Sequence, residues 1–206
     1  MTHADETLAA YEGIAPRYDE LNARTDTVDL VERYVELVDR YGQGGRRLLD
    51  AGCGTGRSSV AFRERGFEVT GYDLSPAMAA ARDQLTEGGV LVFDMNTVGY
   101  YRRVFGAPTV VDRGDRYVAW FAESPPIEAD AVVVTRFDLF ERSGTTWRRV
   151  SMRHAQRHHS DRTVRRAAER AGLRVVATRG LVETSAREPA DEESHDRILY
   201  AARRLG

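Results

Sequence analysis

One stretch constrains this chain more than any other. A short apolar run, Leu48-Leu49-Asp50-Ala51, breaks into Gly52-Cys53-Gly54-Thr55-Gly56, and helical character resumes over 58–65. An apolar strand turning through three alternate glycines into a helix is the opening of a βαβ unit. The first glycine permits the tight turn, the second lets a ligand approach the backbone, and the third lets helix pack on strand. The N–H groups at the helix start then face a polar ligand. Gly66 ends the helix, 67–72 reads as the next strand, and Asp73 closes it, 17 residues past Gly56. A carboxylate at that place accepts both hydroxyls of a ribose. Taken as structure alone, the same pattern is a glycine turn with Asp73 capping the next helix.

Composition narrows the chemistry. The 206 residues, 42% hydrophobic and 30% charged, suit one globular core, and we read 1–206 as a single domain. A net charge of −2 argues against a nucleic-acid partner. No apolar run is long enough to cross a bilayer, and the acidic, polar start is unlike a signal peptide, so a cytoplasmic location and no membrane partner are expected. Cys53 is the single cysteine, which excludes a disulfide framework and Cys-rich zinc or iron–sulfur sites. All 30 basic side chains apart from histidine are arginine, which excludes Schiff-base chemistry and a P-loop.

The rest of the chain reads as α/β with an antiparallel addition. Helices are expected at 5–13, 26–41, 76–86 and 161–171, the second carrying an apolar stripe of Leu30, Val31, Tyr34, Val35, Leu37 and Val38 and ending at Gly42. Residues 90–94 read as a buried strand of the parallel type. From about 108 to 158 the pattern is a β meander (117–122, 131–141, 146–157), punctuated by Pro125-Pro126 and Ser143-Gly144. Strands at 173–179 and 197–203 flank an acidic loop, 183–196, and close the chain as a long hairpin.

The segment 48–56 resembles the signature loop of class I S-adenosylmethionine-dependent methyltransferases, and 69–78 resembles their second motif. The resemblance implies a Rossmann-like sheet and S-adenosyl-L-methionine as cofactor. It places Asp50, Ala51, Gly52, Cys53, Gly54 and Gly56 around the methionine part and ribose, with Asp73 and Leu74 at the ribose. Residues 11–19 resemble the segment that closes over the cofactor, with Tyr18 as its contact. Residues 88–94 resemble the fifth core strand, and 172–176 with 197–203 the closing hairpin. A dinucleotide-dependent oxidoreductase competes with this reading, but its phosphate loop usually sets the third glycine further on.

The resemblance breaks between Asp73 and Gly88, where the family has two more strands with their helices. A βαβ unit takes about 30 residues, so roughly 60 are missing. The lost strand would sit between 48–51 and 90–94, and part of the adenine wall goes with it. Strand 67–72, helix 76–86 and strand 90–94 remain compatible with one right-handed crossover. Three outcomes are open: weaker cofactor binding, completion of the sheet by a homodimer, or a role without the cofactor.

The antiparallel stretch follows the fifth-strand segment, where small-molecule methyltransferases carry an acceptor-binding insert; it resembles inserts of amino-sugar and glycine N-methyltransferases in placement. We read 1–98 and 160–206 as the cofactor part and 108–158 as the acceptor side. Asn96 and Tyr100, past the end of strand 90–94, are acceptor contacts or simple packing. His154, His158 and Tyr100 are the candidates for a base; read plainly, His158 is a turn or cap residue before a helix and His154 alternates with Arg153 on a strand. No metal site is expected, and His195 reads as a surface residue. Trp120, Phe121, Phe137, Phe140 and Trp147 read mainly as β core. Arg162, Arg165, Arg166 and Arg170 read as a solvated face with Val164, Ala167, Ala168 and Ala171 turned inward. The expected function is methyl transfer to N or O of a small-molecule acceptor. The rival is a non-methylating protein on the same fold, a cyclase-type enzyme or a pseudoenzyme partner, and the plainest alternative is a defective deletion product.

Overall fold

A computed structural model describes residues 27–72, 89–123 and 126–204 of the chain. Tyr18, Asp73, Leu74 and the expected helices at 5–13 and 76–86 lie outside the described residues.

The first half holds α1 (Thr27–Tyr41), β1 (Arg47–Ala51), α2 (Arg57–Glu64) and β2 (Glu68–Tyr72). The apolar stripe of α1 has two sides, and each meets a different core. Val31 packs with Ala61, Phe62 and Phe67 beneath β1 and β2. Leu37 packs with Leu181, Leu199 and Ala201 beneath a second sheet. Those three leucines are fully buried, each contributing on the order of 1.5–3 kcal/mol. Helix α1 stops where Gly42 N–H bonds to Val38 O at 2.7 Å, and a Cβ there would lie 2.6 Å from that oxygen.

β3 (Val90–Asn96) leads into α3 (Val98–Phe105), then β4 (Thr109–Asp112), β5 (Arg116–Ala122), β6 (Val132–Ser143) and β7 (Thr146–Arg157). After α4 (Asp161–Arg170) come β8 (Leu173–Val182), β9 (Ser185–Arg187) and β10 (Arg197–Arg204). Strands β4 to β7 form the expected antiparallel meander in sequence order. Strands β8 and β10 form the expected closing hairpin, with β3 paired antiparallel on the other side of β10.

Two expectations are corrected here. Among the described residues, β1 pairs in parallel with β2 alone, while β3 belongs to the four-stranded sheet β3-β10-β8-β9. Strands β2 and β3 therefore do not belong to one crossover sheet, and β3 has an antiparallel neighbour, not a parallel one. Its run of half-buried residues suits either pairing, and the partner, Arg197–Arg204, lies far along the chain. Helix α1 spans the two sheets by packing on α2, β3 and β10.

The stretch after Asn96, not expected as helix, is the helix α3. Thr97 caps it by accepting from Tyr100 N–H at 3.0 Å, and Val98, Tyr101 and Phe105 bury its inner face against Ala122 and Val133 of the meander. In α4, Val164 and Ala168 are buried as expected, but Ala167 is exposed. No described helix is long and apolar enough to cross a membrane.

Candidate active site

The glycine loop is built for its conformation. Gly52, Gly54 and Gly56 take φ of 84°, 50° and 84°, the left-handed region where a side chain is strained. A Cβ at any of the three would meet no described atom within 4 Å, so conformation, not a clash among the described residues, calls for glycine here. Gly56 N–H closes the turn on Cys53 O at 2.8 Å, and α2 starts at this glycine without a side-chain cap. A Cβ-free loop leading into a helix start fits the polar end of a nucleoside-type ligand.

Asp50 is anchored from the same helix. Its Oδ2 accepts from Ser58 Oγ at 2.9 Å and Ser59 Oγ at 2.6 Å, which fixes the carboxylate at the mouth of the loop. Ala51 is exposed beside it, and Cys53 is half-buried. Gly71 explains the seat of Cys53: a Cβ at Gly71 would come within 3.0 Å of Cys53 Sγ. A glycine inside a strand signals such close approach, and that signal at Gly71 was there to be read.

Across the gap between the sheets lies a second polar group, which sequence reasoning missed. Tyr34 Oη donates to Asp94 Oδ1, and Arg197 NH1 donates to Asp94 Oδ2 at 3.0 Å. Burial, the Asp94 charge and, further off, Asp50 push the Tyr34 phenol well above its ordinary value, with Arg197 opposing. Burial works against the charge on Arg197, but Asp94, Tyr34 and Tyr100 outweigh it and raise its pKa. The hydrogen-bonded group Tyr34, Asp94 and Arg197 thus joins α1, β3 and β10. Its only sequence signals were a tyrosine within an apolar stripe and an aspartate closing an apolar strand.

The acceptor-side candidates separate. Asn96 ends β3 opposite Arg197. Tyr100 packs against the core shared by α3 and the meander, and burial raises its pKa. His154 pairs with Thr135, one step along the sheet face from the Phe137–Met152 pair, and Phe137 pairs with Trp120. Trp120 and Phe137 pack on the same core as Tyr100, so α3 and this meander face bring Tyr100 and His154 to one side of the insert. Burial lowers the His154 pKa.

His158 lies elsewhere. Its side chain is fully buried, its Nδ1 accepts from Asp130 N–H at 3.1 Å, and Nε2 stands 3.7 Å from Glu192 Oε1. From there it pins the 130 turn to the start of α4. His195, expected at the surface, is also buried, its ring lying on Gly180, where a Cβ would be 2.5 Å away. Of the five aromatic residues read as β core, Trp147 is 40% exposed and lies near Tyr117, with Arg142 over its ring. Among the described residues, no group of His, Cys, Asp or Glu is arranged to hold a metal.

The fold is that of the class I S-adenosylmethionine-dependent methyltransferases. One such enzyme from Clostridium acetobutylicum superposes with a TM-score of 0.69 at 18% identity, over 95% of this chain and 99% of that one. A sugar N-methyltransferase from a Streptoalloteichus species superposes with a TM-score of 0.65 at 20% identity, over 92% and 93%. A family model described as a methyltransferase domain matches residues 23–133, and the chain belongs to that family. In sequence, a malonyl-[acyl-carrier protein] O-methyltransferase of Serratia marcescens is 32% identical over 66% of this chain and 53% of its own length. A ubiquinone biosynthesis O-methyltransferase of Pseudomonas aeruginosa is 37% identical over 45% of this chain and 40% of its own. The chain thus spans about half, or less, of the curated relatives it matches.

Proposed function

We propose that this chain binds S-adenosyl-L-methionine at the glycine loop and transfers its methyl group to N or O of a small-molecule acceptor. The observation that carries the reading is the loop itself: three left-handed glycines, uncrowded by any described residue, opening a helix whose serines hold Asp50. A relative named as a ubiquinone biosynthesis O-methyltransferase and a neighbour named as a sugar N-methyltransferase support a small acceptor, without choosing between O and N. When bound, the cofactor supplies a methyl carbon on a sulfonium, an electrophile that needs no further activation.

The chain's residues then have to orient and deprotonate. Ala51 to Gly56 and Asp50 hold the cofactor's polar end. Asn96 and Tyr100 line the acceptor side, and Tyr100, kept protonated by burial, serves as a hydrogen-bond donor. His154 fits the part of base, because burial keeps its imidazole neutral near pH 7 and able to take a proton.

A second reading has its own support. Strands β1 and β3 stand in separate sheets among the described residues, as expected if the strand between them is missing. That favours a non-methylating protein on the same fold, or a homodimer that completes the sheet. We also propose a cytoplasmic location.

Calorimetric titration with S-adenosylmethionine separates these. Binding lost in Gly54→Val and Asp73→Ala supports the site, and methyl transfer to a panel of amines and alcohols then identifies the acceptor. A folded wild-type chain that binds nothing sinks the reading. Binding without cofactor consumption across the panel favours the non-methylating one.

A further inference from the structure

Two sheets that share no ladder among the described residues still have to hold a cofactor on one and an acceptor on the other. The glycine loop hangs from β1, while Asn96 and α3 hang from β3. Methyl transfer depends on that spacing, since a misplacement of about 1 Å costs on the order of a hundredfold in rate. In a continuous sheet, backbone hydrogen bonds would set it. Here the link falls to α1, whose stripe serves both cores.

Tyr34 is the residue where the two meet. It packs against the Val31 cluster under β1 and against the Leu37 cluster under β3 and β10. Its ring meets Phe62 of α2 edge-on at 6.3 Å. Its hydroxyl crosses to Asp94 on β3, and Arg197 on β10 holds Asp94 from the other side at 3.0 Å. Apolar packing alone leaves a helix free to slide on a sheet, because it is not directional. A hydrogen bond from a phenol to a carboxylate, itself oriented by a guanidinium, has one geometry.

We infer that Tyr34 is a positioning residue: its bond to Asp94 fixes the sheet that carries the glycine loop against the sheet that carries the acceptor side. The catalytic meaning of this clasp rests on the methyltransferase reading above; the mechanical one does not.

The test is a distance. Nitroxide labels are placed at Glu68→Cys on β2 and Arg174→Cys on β8, both exposed positions, in a Cys53→Ala background. Pulsed electron spin resonance then reads the separation of the two sheets. We expect one narrow distance in the parent. Tyr34→Phe, which deletes only the hydroxyl, is expected to broaden it or add a second population. Asp94→Asn, whose amide still bonds the Tyr34 hydroxyl, is expected to keep the narrow distance; broadening in both variants also supports the clasp and gives Arg197 a share of it. Should Tyr34→Phe fail to fold, Asp94→Leu removes the acceptor at similar volume and takes its place. A distribution in Tyr34→Phe as narrow as the parent's overturns the proposal. Titration of the same labelled proteins with S-adenosylmethionine keeps the two ideas apart. A narrow-distance parent that binds no cofactor sinks the methyltransferase reading and leaves the clasp standing. Binding with unchanged distances in Tyr34→Phe sinks the clasp alone.

Discussion

Ser59 Oγ donates to Asp50 Oδ2 at 2.6 Å, joining the first turn of α2 to the end of the strand that precedes it. With the Ser58 bond at 2.9 Å, the same carboxylate oxygen receives two hydroxyls. The glycine loop is thereby closed at both ends, by Asp50 before it and the helix after it. Hydrogen bonds to a charged group contribute about 1.5–3 kcal/mol. Asp50→Ala leaves both serines without this acceptor and frees the loop. We expect a loss of about 1–3 kcal/mol in chemical denaturation, together with loss of S-adenosylmethionine binding by calorimetry. Ser59→Ala, which leaves the Ser58 bond, should cost less on both measures.

The loop glycines should be irreplaceable for a conformational reason. Nothing described stands within 4 Å of a Cβ at Gly56, so a clash is not the obstacle. At φ 84° an alanine pays only the left-handed penalty, about 1–2 kcal/mol. Gly71 is the opposite case. Its φ is not left-handed, but a Cβ would press on Cys53 Sγ at 3.0 Å. We therefore expect Cys53→Ala to relieve part of the cost of Gly71→Ala and none of the cost of Gly56→Ala. A double-mutant cycle by urea denaturation checks this; equal coupling for both pairs would refute it.

Much of this architecture was legible because its signals are local. The α1 stripe with Gly42, the glycine loop, and the turn pairs of the meander each sit within one window of sequence. What was missed depends on distant partners. Helix α3 is eight residues long and rich in aromatic and β-branched residues, which weakly favour helix; it forms because Thr97 caps it and the meander covers it. His195 lies in an acidic loop that reads as surface, and it is buried because Gly180, 15 residues earlier, leaves room for its ring. In the candidate site, the glycines and Asp50 were readable from their motif. The Tyr34–Asp94–Arg197 group was not, because it joins three elements that are remote in sequence.

Acidification should destabilise the protein through His158. Its Nδ1 accepts from Asp130 N–H, so a second proton on the ring has to displace that bond. Burial lowers its pKa, Asp130 and Glu193 opposing and His159 and Arg102 assisting. With the folded value below the unfolded one near 6.5, the unfolded chain binds more protons in between. The stability from a neutral His158 is complete above about pH 6.5 and is lost as pH falls toward the folded value, at up to about 1.4 kcal/mol per pH unit. Glu192 works the other way at lower pH, since burial raises its pKa and protonation relieves it. In His158→Asn, whose amide oxygen can still accept from Asp130, denaturation midpoints between pH 7 and pH 5 should fall less steeply than in wild type. An unchanged slope would remove His158 as the cause.

Helix α3 should depend on Gly99 more than on any other residue. Gly99 N–H bonds to Glu192 O at 2.9 Å, and a Cβ there would lie 2.1 Å from Glu193 O. That obstacle is backbone, and it is tied down from several sides. Arg103 donates to Glu193 O at 2.6 Å, and Arg102 bonds the Glu193 carboxylate with both contacts at 2.8 Å. Gly99→Ala therefore cannot be absorbed by a rotamer change; α3 or the 183–196 loop has to move. Overpacking of this kind costs about 1–3 kcal/mol, and more when a buried hydrogen bond is lost with it. Because Tyr100 is the next residue, its place on the acceptor side shifts with the helix. We expect Gly99→Ala to lower the melting temperature and to speed amide exchange in both α3 and the 183–196 loop, with S-adenosylmethionine affinity preserved, since the glycine loop hangs from the other sheet. Exchange confined to α3 would mean that the loop does not rest on the helix as this geometry requires.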